Sequence, residues 1–483
     1  MNLRPSRALV RRALSAHSGV GLAIGALMYL LCLTGALVVF FEEFERWEQP
    51  AVAEDASYSI AQLDAAAANF LAAVPQVPET VYLVLPSESM PRLHVAAGDA
   101  EWFVAADGRL AGTLAAAWTG LLQALHVHLH LPYVPGLILV GVLGVMLCSL
   151  IVSGLLAHPA LIRDAFRWRR GGQGALGEVD LHNRLSVWGL PFHLMIAVTG
   201  AFLGLVSVFY AGAAYVYEAG DREAVLAQMY GADARVASPA DAPFDIGRAL
   251  DNLAEVAPAA EPMYVALQQP GQPGQHLEIA ASLPQRLVYS EIYRFSPAGD
   301  YLGDQALASG PVGRQLAYSV YRLHFGHFAG MPVKLLYGLM GLALTVVSAS
   351  GVNIYLAKRR RRGLANDLWV AVVWGSPLAL ALAALAALAG LPPLPAFLAT
   401  GLVAALGAAL VRDVDRTRRG LQLALGAGLL AVVAVHALRF GLGAGPAVAD
   451  AINLTLLSAA LTLLALSARR LWRDRLSPVT AGA

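Results

Sequence analysis

The sequence predicts an integral membrane protein, mainly α-helical. Its expected parts are a duplicated four-helix transmembrane core, two α+β domains outside the membrane and four further C-terminal transmembrane helices. Three observations lead there. Eight apolar runs each approach the length of about 20 residues that crosses a bilayer. Two long polar segments interrupt them, and the first 357 residues read as a duplicated unit. Composition agrees: 57% of residues are hydrophobic, mean hydropathy is +0.58, and only 14% are charged, against about 25% in soluble domains. Disorder, a secreted disulfide scaffold and an ordinary soluble enzyme are excluded. A net charge of +1 offers nucleic acid no basic field. Cys32 and Cys148 both lie in apolar runs, which argues against a disulfide framework and against thiolate zinc.

The apolar cores fall at 19–41, 137–157, 188–211, 333–357, 368–390, 395–411, 421–440 and 447–467. The first comes after Arg4, Arg7, Arg11 and Arg12, as in a signal peptide. It is too long for a signal core, and Glu42 and Glu43 succeed it in place of a small-residue cleavage site, so it reads as an uncleaved anchor. Lys and Arg mark the inner side of a membrane. With the N-terminus inside, five inner segments hold 22 of the 34 basic residues: Arg4 to Arg12, Arg163 to Arg184, Lys358 to Arg362, Arg412 to Arg419 and Arg469 to Arg475. The outer side holds 26 of the 33 acidic residues, and both termini are expected inside.

Each polar segment reads as one helix and then alternating strands. In the first, 59–71 is helical and 80–85, 92–96 and 101–104 alternate, with a turn at Asp107-Gly108. In the second, 245–256 is helical and 263–267, 276–280 and 287–295 alternate, with a turn at 297–300. The expected order is 1–44 with the first span, 45–116 as one outside α+β domain, and 117–211 with the second and third spans. Next come 212–316 as the second outside domain, 317–362 with the fourth span, and 363–483 as a four-helix membrane region.

The internal repeat is the most informative feature. His17 is followed by Thr34-Gly35 and His182 by Thr199-Gly200 at the same offsets. Without gaps, His130, Pro135, Gly141, Gly144 and Ser153-Gly154 align with His327, Pro332, Gly338, Gly341 and Ser350-Gly351. Nine of the twelve histidines sit at or in the first four spans. His17, His158 and His182 fall near the inner face, with His193 11 residues beyond His182; His126, His128, His130, His324 and His327 fall near the outer face. Polar groups at membrane depth are costly and commonly functional. Two neutral imidazoles from different helices, at one level of an apolar bundle, suit axial ligation of a b-type haem.

The plainer alternatives stand beside this. Interfacial histidines also cap helices, and His128 is out of phase with His126 and His130. His158 precedes Pro159 at a helix end and could serve the helix dipole. His436, with Arg439, reads as an interfacial anchor, and His94 and His276 as surface residues. Glycines 21, 25, 141, 144, 338 and 341 leave room for a macrocycle or pack helices closely. Propionates would find Arg12 and Arg184 inside, or Arg322 and Lys334 outside, unless these are simple anchors. His126, His130 and His324 or His327 could hold zinc or copper, though no Cys or carboxylate accompanies them. There is no C-x-x-C-H, H-E-x-x-H, G-x-S-x-G or P-loop. Gly171-Gly172-Gln173-Gly174 lacks the strand of a dinucleotide site, so an electron donor must come from elsewhere.

At these residues the chain resembles the PepSY-associated transmembrane family, which includes iron-regulated inner-membrane proteins and ferric-siderophore reductases. The matching stretches are LSAHSGVGLAIGALMYLLCLTGALVVFFEE, LHVHLHLPYVPGLILVGVLG through SGLLAHP, VDLHNRLSVWGLPFHLMIAVTG and LHFGHFAGMPVKLLYGLMGL, covering about residues 10–362. The resemblance implies PepSY-like periplasmic domains, a bacterial inner-membrane location with cytoplasmic termini, and two b haems. It also implies electron flow from a cytoplasmic or quinol donor to a ferric siderophore or other iron chelate. By motif it carries over His17, His126, His182 and His324, whereas the ungapped repeat pairs His130 with His327; both outer pairs stay open. The four C-terminal spans depart from the shortest members.

His130 lies 23 residues from Ser153, about 35 Å of helix, which is far for direct electron transfer between the faces. His193, about 16 Å inward of His182 with Met28 as its repeat equivalent, would shorten that gap. Arg314, Arg322, Tyr318 and Tyr321 are candidates for docking the chelate. Two other function classes compete with a reductase. One is a transporter or permease for iron chelates, although acidic residues and broken helices within the spans are missing. The other is a non-enzymatic periplasmic binding or regulatory membrane protein.

Overall fold

The computed structural model describes residues 5–98, 100–166, 175–231, 236–359, 362–443 and 445–476. The glycine loop at 171–174 and Arg4, Arg167, Arg169, Arg170, Arg360 and Arg361 lie outside the described residues, as do the side chains of 470–476. The chain is a mainly helical, multi-pass membrane protein, with eight helices among the described residues long and apolar enough to span a bilayer. It divides into two compact units, one of Met1–Ala51, Ala116–Val198 and Leu335–Ala483, the other of Val52–Ala115 and Thr199–Lys334.

In chain order the helices are α1 (Arg7–Val38), α2 (Phe41–Glu48), α3 (Ile60–Ala73), α4 (Ala117–His128), α5 (Tyr133–Ala157), α6 (Leu161–Ala165), α7 (Ala175–Trp188) and α8 (Leu190–Tyr217). They continue with α9 (Arg222–Tyr230), α10 (Ile246–Val256), α11 (Val312–Phe325), α12 (Gly330–Ala357), α13 (Leu364–Leu388), α14 (Pro393–Val411), α15 (Val414–Phe440) and α16 (Ala447–Leu476). The eight long helices agree with the eight apolar runs, and local chemistry sets their ends. The Ser6 hydroxyl accepts from the Leu9 N–H and opens α1 twelve residues before the first apolar core. Asp413 caps α15 in the same way. Helices α4 and α11 each stop at a left-handed residue, Leu129 at φ 53° and Gly326 at φ 73°, so the chain turns before α5 and α12 begin.

In the first unit, Ile24, Met28, Leu31 and Cys32 of α1 pack with Leu143 and Leu147 of α5, Ala197 of α8 and Leu344 of α12. This is the four-helix core. The C-terminal helices join it through a second apolar cluster and through polar aromatic tips. Tyr29 donates to the Val373 carbonyl (2.7 Å), Trp118 to the Leu380 carbonyl (3.0 Å) and Trp369 to Asn353 Oδ1 (2.9 Å). His436, expected as an interfacial anchor, is instead buried. It stacks on Trp47 with ring centres 4.8 Å apart, donates through Nε2 to the Trp47 carbonyl (2.9 Å) and accepts from Asn453 through Nδ1 (3.1 Å). Asn453 Oδ1 then accepts from the Trp47 indole at 3.0 Å, which closes the ring.

The second unit corrects the expectation of two separate α+β domains. Its strands are β1 (Thr80–Val84), β2 (His94–Ala97), β3 (Ala100–Val104), β4 (Leu110–Thr113), β5 (Glu261–Gln268), β6 (His276–Ser282), β7 (Glu291–Phe295) and β8 (Tyr301–Asp304). All eight form one antiparallel sheet in the order β4-β3-β2-β1-β5-β6-β7-β8. The halves meet where Thr80–Val84 pairs Gln268–Tyr264. An edge strand left unpaired is a liability, and this pairing removes two such edges. Strand alternation puts Val81, Leu83, Val265, Leu267, Leu277, Ile279 and Phe295 on one face, packed with Leu63 and Phe70 of α3 and Ile246 and Leu253 of α10. His94 and His276 are buried rather than superficial, His94 Nε2 lying 3.1 Å from Glu101 and His276 Nε2 3.8 Å from Glu278.

Candidate functional site

Four of the histidines singled out in the sequence line one cavity of the first unit. The cavity has a volume of about 650 Å³ and lies between α1, α5, α7, α8 and α12, with a largely apolar wall. Along α1 it runs from Leu14 to Met28, about 21 Å of helix. His17 and His182 face each other across it with ring centres 6.2 Å apart and planes at 82°. The repeat accounts for their seats. His17 Nδ1 lies 3.0 Å from the Leu150 carbonyl and 3.3 Å from Ser153 Oγ. His182 Nδ1 lies 3.1 Å from the Val347 carbonyl and 3.2 Å from Ser350 Oγ. Each carbonyl must accept, so each Nδ1 carries the proton, and the Nε2 lone pair is left available.

A glycine makes room for each ring. A methyl group at Gly154 would meet His17 Cε1 at 3.2 Å, and one at Gly351 would meet His182 Cε1 at 3.2 Å. These Ser-Gly pairs recur in the sequence at one offset, and that recurrence is the signal that could have identified the seats. Two metal–imidazole bonds of about 2 Å, with about 1 Å more from nitrogen to each ring centre, sum to about 6 Å. The spacing of this pair therefore suits a single metal held between them.

His193 and His158 line the same cavity. His193 is 2% exposed; one ring nitrogen bonds the Met340 backbone, while Nε2 is buried with no hydrogen-bond partner. Its ring lies over Gly189, the break between α7 and α8, where a methyl group would approach Cε1 to 2.4 Å. That break replaces the straight run of helix expected from His182 to His193. Met28, its repeat equivalent, also lines the cavity. His158 caps the C-terminus of α5 and also has an unpartnered buried Nδ1. The cations lining the cavity are Lys358 and Arg359, which the sequence reading did not select, rather than Arg12 and Arg184. Gly21 and Gly25 line the cavity, whereas Gly338 packs α12 against Phe40, just before α2, and Gly341 packs it against Ala36 of α1.

The remaining histidines separate clearly. In the first unit, His126 Nδ1 lies 3.1 Å from the Leu31 carbonyl, and its ring covers Gly35 at 2.6 Å from where a methyl would stand. In the second unit, His324 Nδ1 lies 2.9 Å from Thr199 Oγ1, and its ring covers Gly200 at 3.1 Å. Thr34-Gly35 and Thr199-Gly200 are repeat equivalents, so His126 and His324 are the matched outer histidines. Their offset is 198 residues, whereas Ser153 and Ser350 are offset by 197. The second copy thus has one residue fewer in the turn between its helices, and an ungapped comparison that matches the spans slips by one across that turn. His130, which that comparison favoured, is an exposed turn residue at φ 55° just past the end of α4. His327 lies past the end of α11, where its carbonyl accepts from Arg322 Nε at 2.8 Å. His128 Nδ1 bonds the Leu131 carbonyl at 2.7 Å and secures the turn. Among the described residues, no three of His, Cys, Asp and Glu gather as a metal site would require.

Of the expected docking residues, Arg314 donates to the Gln228 and Gln305 carbonyls, and Arg322 also donates to those of Arg286 and Val288. Both guanidinium groups brace backbone. Tyr318 and Tyr321 lie on α11 beside other aromatic rings.

Comparison with known proteins fits this arrangement. An uncharacterized protein of Pseudomonas aeruginosa, PA4219, is 30% identical over 251 residues, covering 50% of this chain and 63% of that protein, less than two thirds of its length. The family model described as the PepSY-associated TM region matches residues 14–358, a stretch that runs from just before His17 to the end of α12. The chain belongs to the PepSY-associated transmembrane-region family.

Proposed function

We propose that this protein is a b-haem electron-transfer protein of the bacterial inner membrane that reduces a ferric siderophore or similar chelate at the periplasmic face. Its electrons would come from a cytoplasmic or quinol donor. The observation that carries the reading is the His17–His182 pair, 6.2 Å apart in an apolar cavity, with both Nδ1 atoms tied to carbonyls. A b haem bound there supplies reversible one-electron transfer.

The chain's own residues do the rest. Leu150 and Val347 carbonyls fix the tautomer and orientation of the two rings, the role such outer partners play at metal sites. Gly154 and Gly351 let the rings seat against α5 and α12. Lys358 and Arg359 line the cavity and would offer positive charge to the propionates of a bound haem, and the largely apolar lining would keep water away. His126 in the first unit and His324 in the second, with equivalent seats, are further candidate ligands. On the substrate, one electron converts Fe(III) to the softer Fe(II), which oxygen chelators hold less tightly.

The test is an optical spectrum of the detergent-purified protein, oxidised and dithionite-reduced, with a pyridine haemochrome count. About two haems per chain are expected, and His17→Ala and His182→Ala should each remove one and the same haem. A protein that stays colourless after expression with ample haem would overturn the reading.

A further inference from the structure

The face of the sheet turned away from α3 and α10 carries a continuous aromatic strip. Strand alternation places Tyr82 of β1 and Tyr264 of β5 there, with ring centres 5.5 Å apart. Tyr264 lies within electrostatic reach of Tyr289 and Tyr318. Tyr289 is 4.7 Å from Tyr321, Tyr321 stacks on Phe325 at 4.2 Å and 20°, and Phe325 lies 5.8 Å from the His324 ring. The strip therefore begins at a candidate haem ligand. Tyr82 and Tyr321 are each 36% exposed, more than an internal packing layer requires.

Its charge is as telling as its rings. The second unit holds 21 acidic and 10 basic side chains, a net of −11 with histidines neutral. Three of the nearby cations are engaged: Arg314 and Arg322 by carbonyls, Arg294 by Glu278 at 3.0 Å. Burial holds the Tyr318 hydroxyl up at about 12 and raises that of Tyr264, so these groups stay neutral hydrogen-bond donors at ordinary pH. A field of one sign concentrates ligands of the other and repels its own.

We propose that this strip is where the ferric chelate docks, and that it selects complexes of positive or neutral overall charge over anionic ones. Tyrosine faces and hydroxyls suit a compact chelate with a ring of oxygen acceptors, such as a trihydroxamate. A trianionic tris-catecholate instead meets repulsion that these three engaged arginines do not offset. The inference rests on the reductase reading for the electron transfer after docking, but docking itself is tested without electron transfer.

The probe is the redox-inert gallium(III) complex of one linear trihydroxamate in three forms: amine-bearing and cationic, acetylated and neutral, succinylated and anionic. The metal centre is the same in all three, so only charge varies. Binding to the purified full-length protein is followed by tyrosine and tryptophan fluorescence. The cationic form should bind on the order of tenfold more tightly than the anionic form at low ionic strength, and salt should erase the difference. Tyr289→Ala and Tyr321→Ala should weaken all three about tenfold, with Tyr321→Phe largely restoring binding. Equal affinity for the three forms, or tightest binding of the anionic one, overturns the proposal, as does unchanged binding in both alanine variants. A colourless protein that still ranks the probes by charge would refute the haem reading and leave docking intact.

Discussion

The glycines beneath the histidine rings predict a graded response to a single methyl group. At Gly35 and Gly189 an alanine Cβ would approach the imidazole to 2.6 and 2.4 Å, far inside contact distance. The ring must then shift by about an ångström, which at Gly35→Ala strains the His126–Leu31 bond. Overpacking costs about 1–3 kcal/mol and the strained hydrogen bond about 1 kcal/mol. Better helix propensity returns somewhat under 1 kcal/mol, for a net loss of about 1–3 kcal/mol. At Gly154, Gly200 and Gly351 the approach is 3.2, 3.1 and 3.2 Å, so a few tenths of an ångström suffice. There the propensity gain nearly cancels the strain. Haem content per chain and thermal stability, measured in parallel on the five Gly→Ala proteins, should therefore fall sharply for Gly35→Ala and Gly189→Ala and little for the others. A uniform response, or the reverse ranking, would show that ring seating is not what these glycines provide.

Other consequences are more local. Asn453→Ala opens the Trp47–His436–Asn453 ring and leaves a buried indole N–H unsatisfied, at a cost of about 1–3 kcal/mol; it should lower the melting temperature and leave any haem spectrum unchanged. The Glu48 carboxylate accepts from the Trp118 and Thr119 N–H groups and the Thr119 hydroxyl, capping α4 from another segment. Glu48→Ala should cost about 1–2 kcal/mol and weaken retention of whatever His126 binds, read as faster haem loss. Burial lowers the His276 pKa, but Glu278 outweighs it and holds it above 6.5; burial raises that of Glu278, but His276 and Arg294 hold it below 4.5. The histidine contribution is full below about pH 6.5 and lost as pH rises through its raised value. The carboxylate contribution is present above about pH 4.5 and lost as pH falls through its lowered one. Melting curves should place this pair's contribution at its greatest between those limits, and Glu278→Gln should flatten the dependence.

The spans, the repeat and the inner histidines were legible because each has a local signature: apolar length, or a motif recurring at one offset. Short helices such as α2, α4, α9 and α11 were missed because they adjoin spans or strands without a polarity break. The β1–β5 pairing leaves no trace in periodicity, since either half-sheet reads the same alone or joined. Histidine at membrane depth was informative, but its seat was not. Gly189 and the extra residue before α5 alter which side chains share a level, and only the packed helices reveal them. Burial of His436 depended on a partner distant in sequence, Trp47, that no local pattern announces.

The joined sheet also bears on biosynthesis. Thr80 and Gln268, bonded side chain to side chain across the β1–β5 seam, are 188 residues apart. At about 5–20 residues per second the ribosome takes roughly 10–40 s to supply the second after the first. Throughout that interval the β1 edge is complete and unmated, a ready template for another chain. Maturation of this protein thus includes a vulnerable waiting period whose length is set by the translation speed of the two intervening membrane helices, and slow codons there would prolong it.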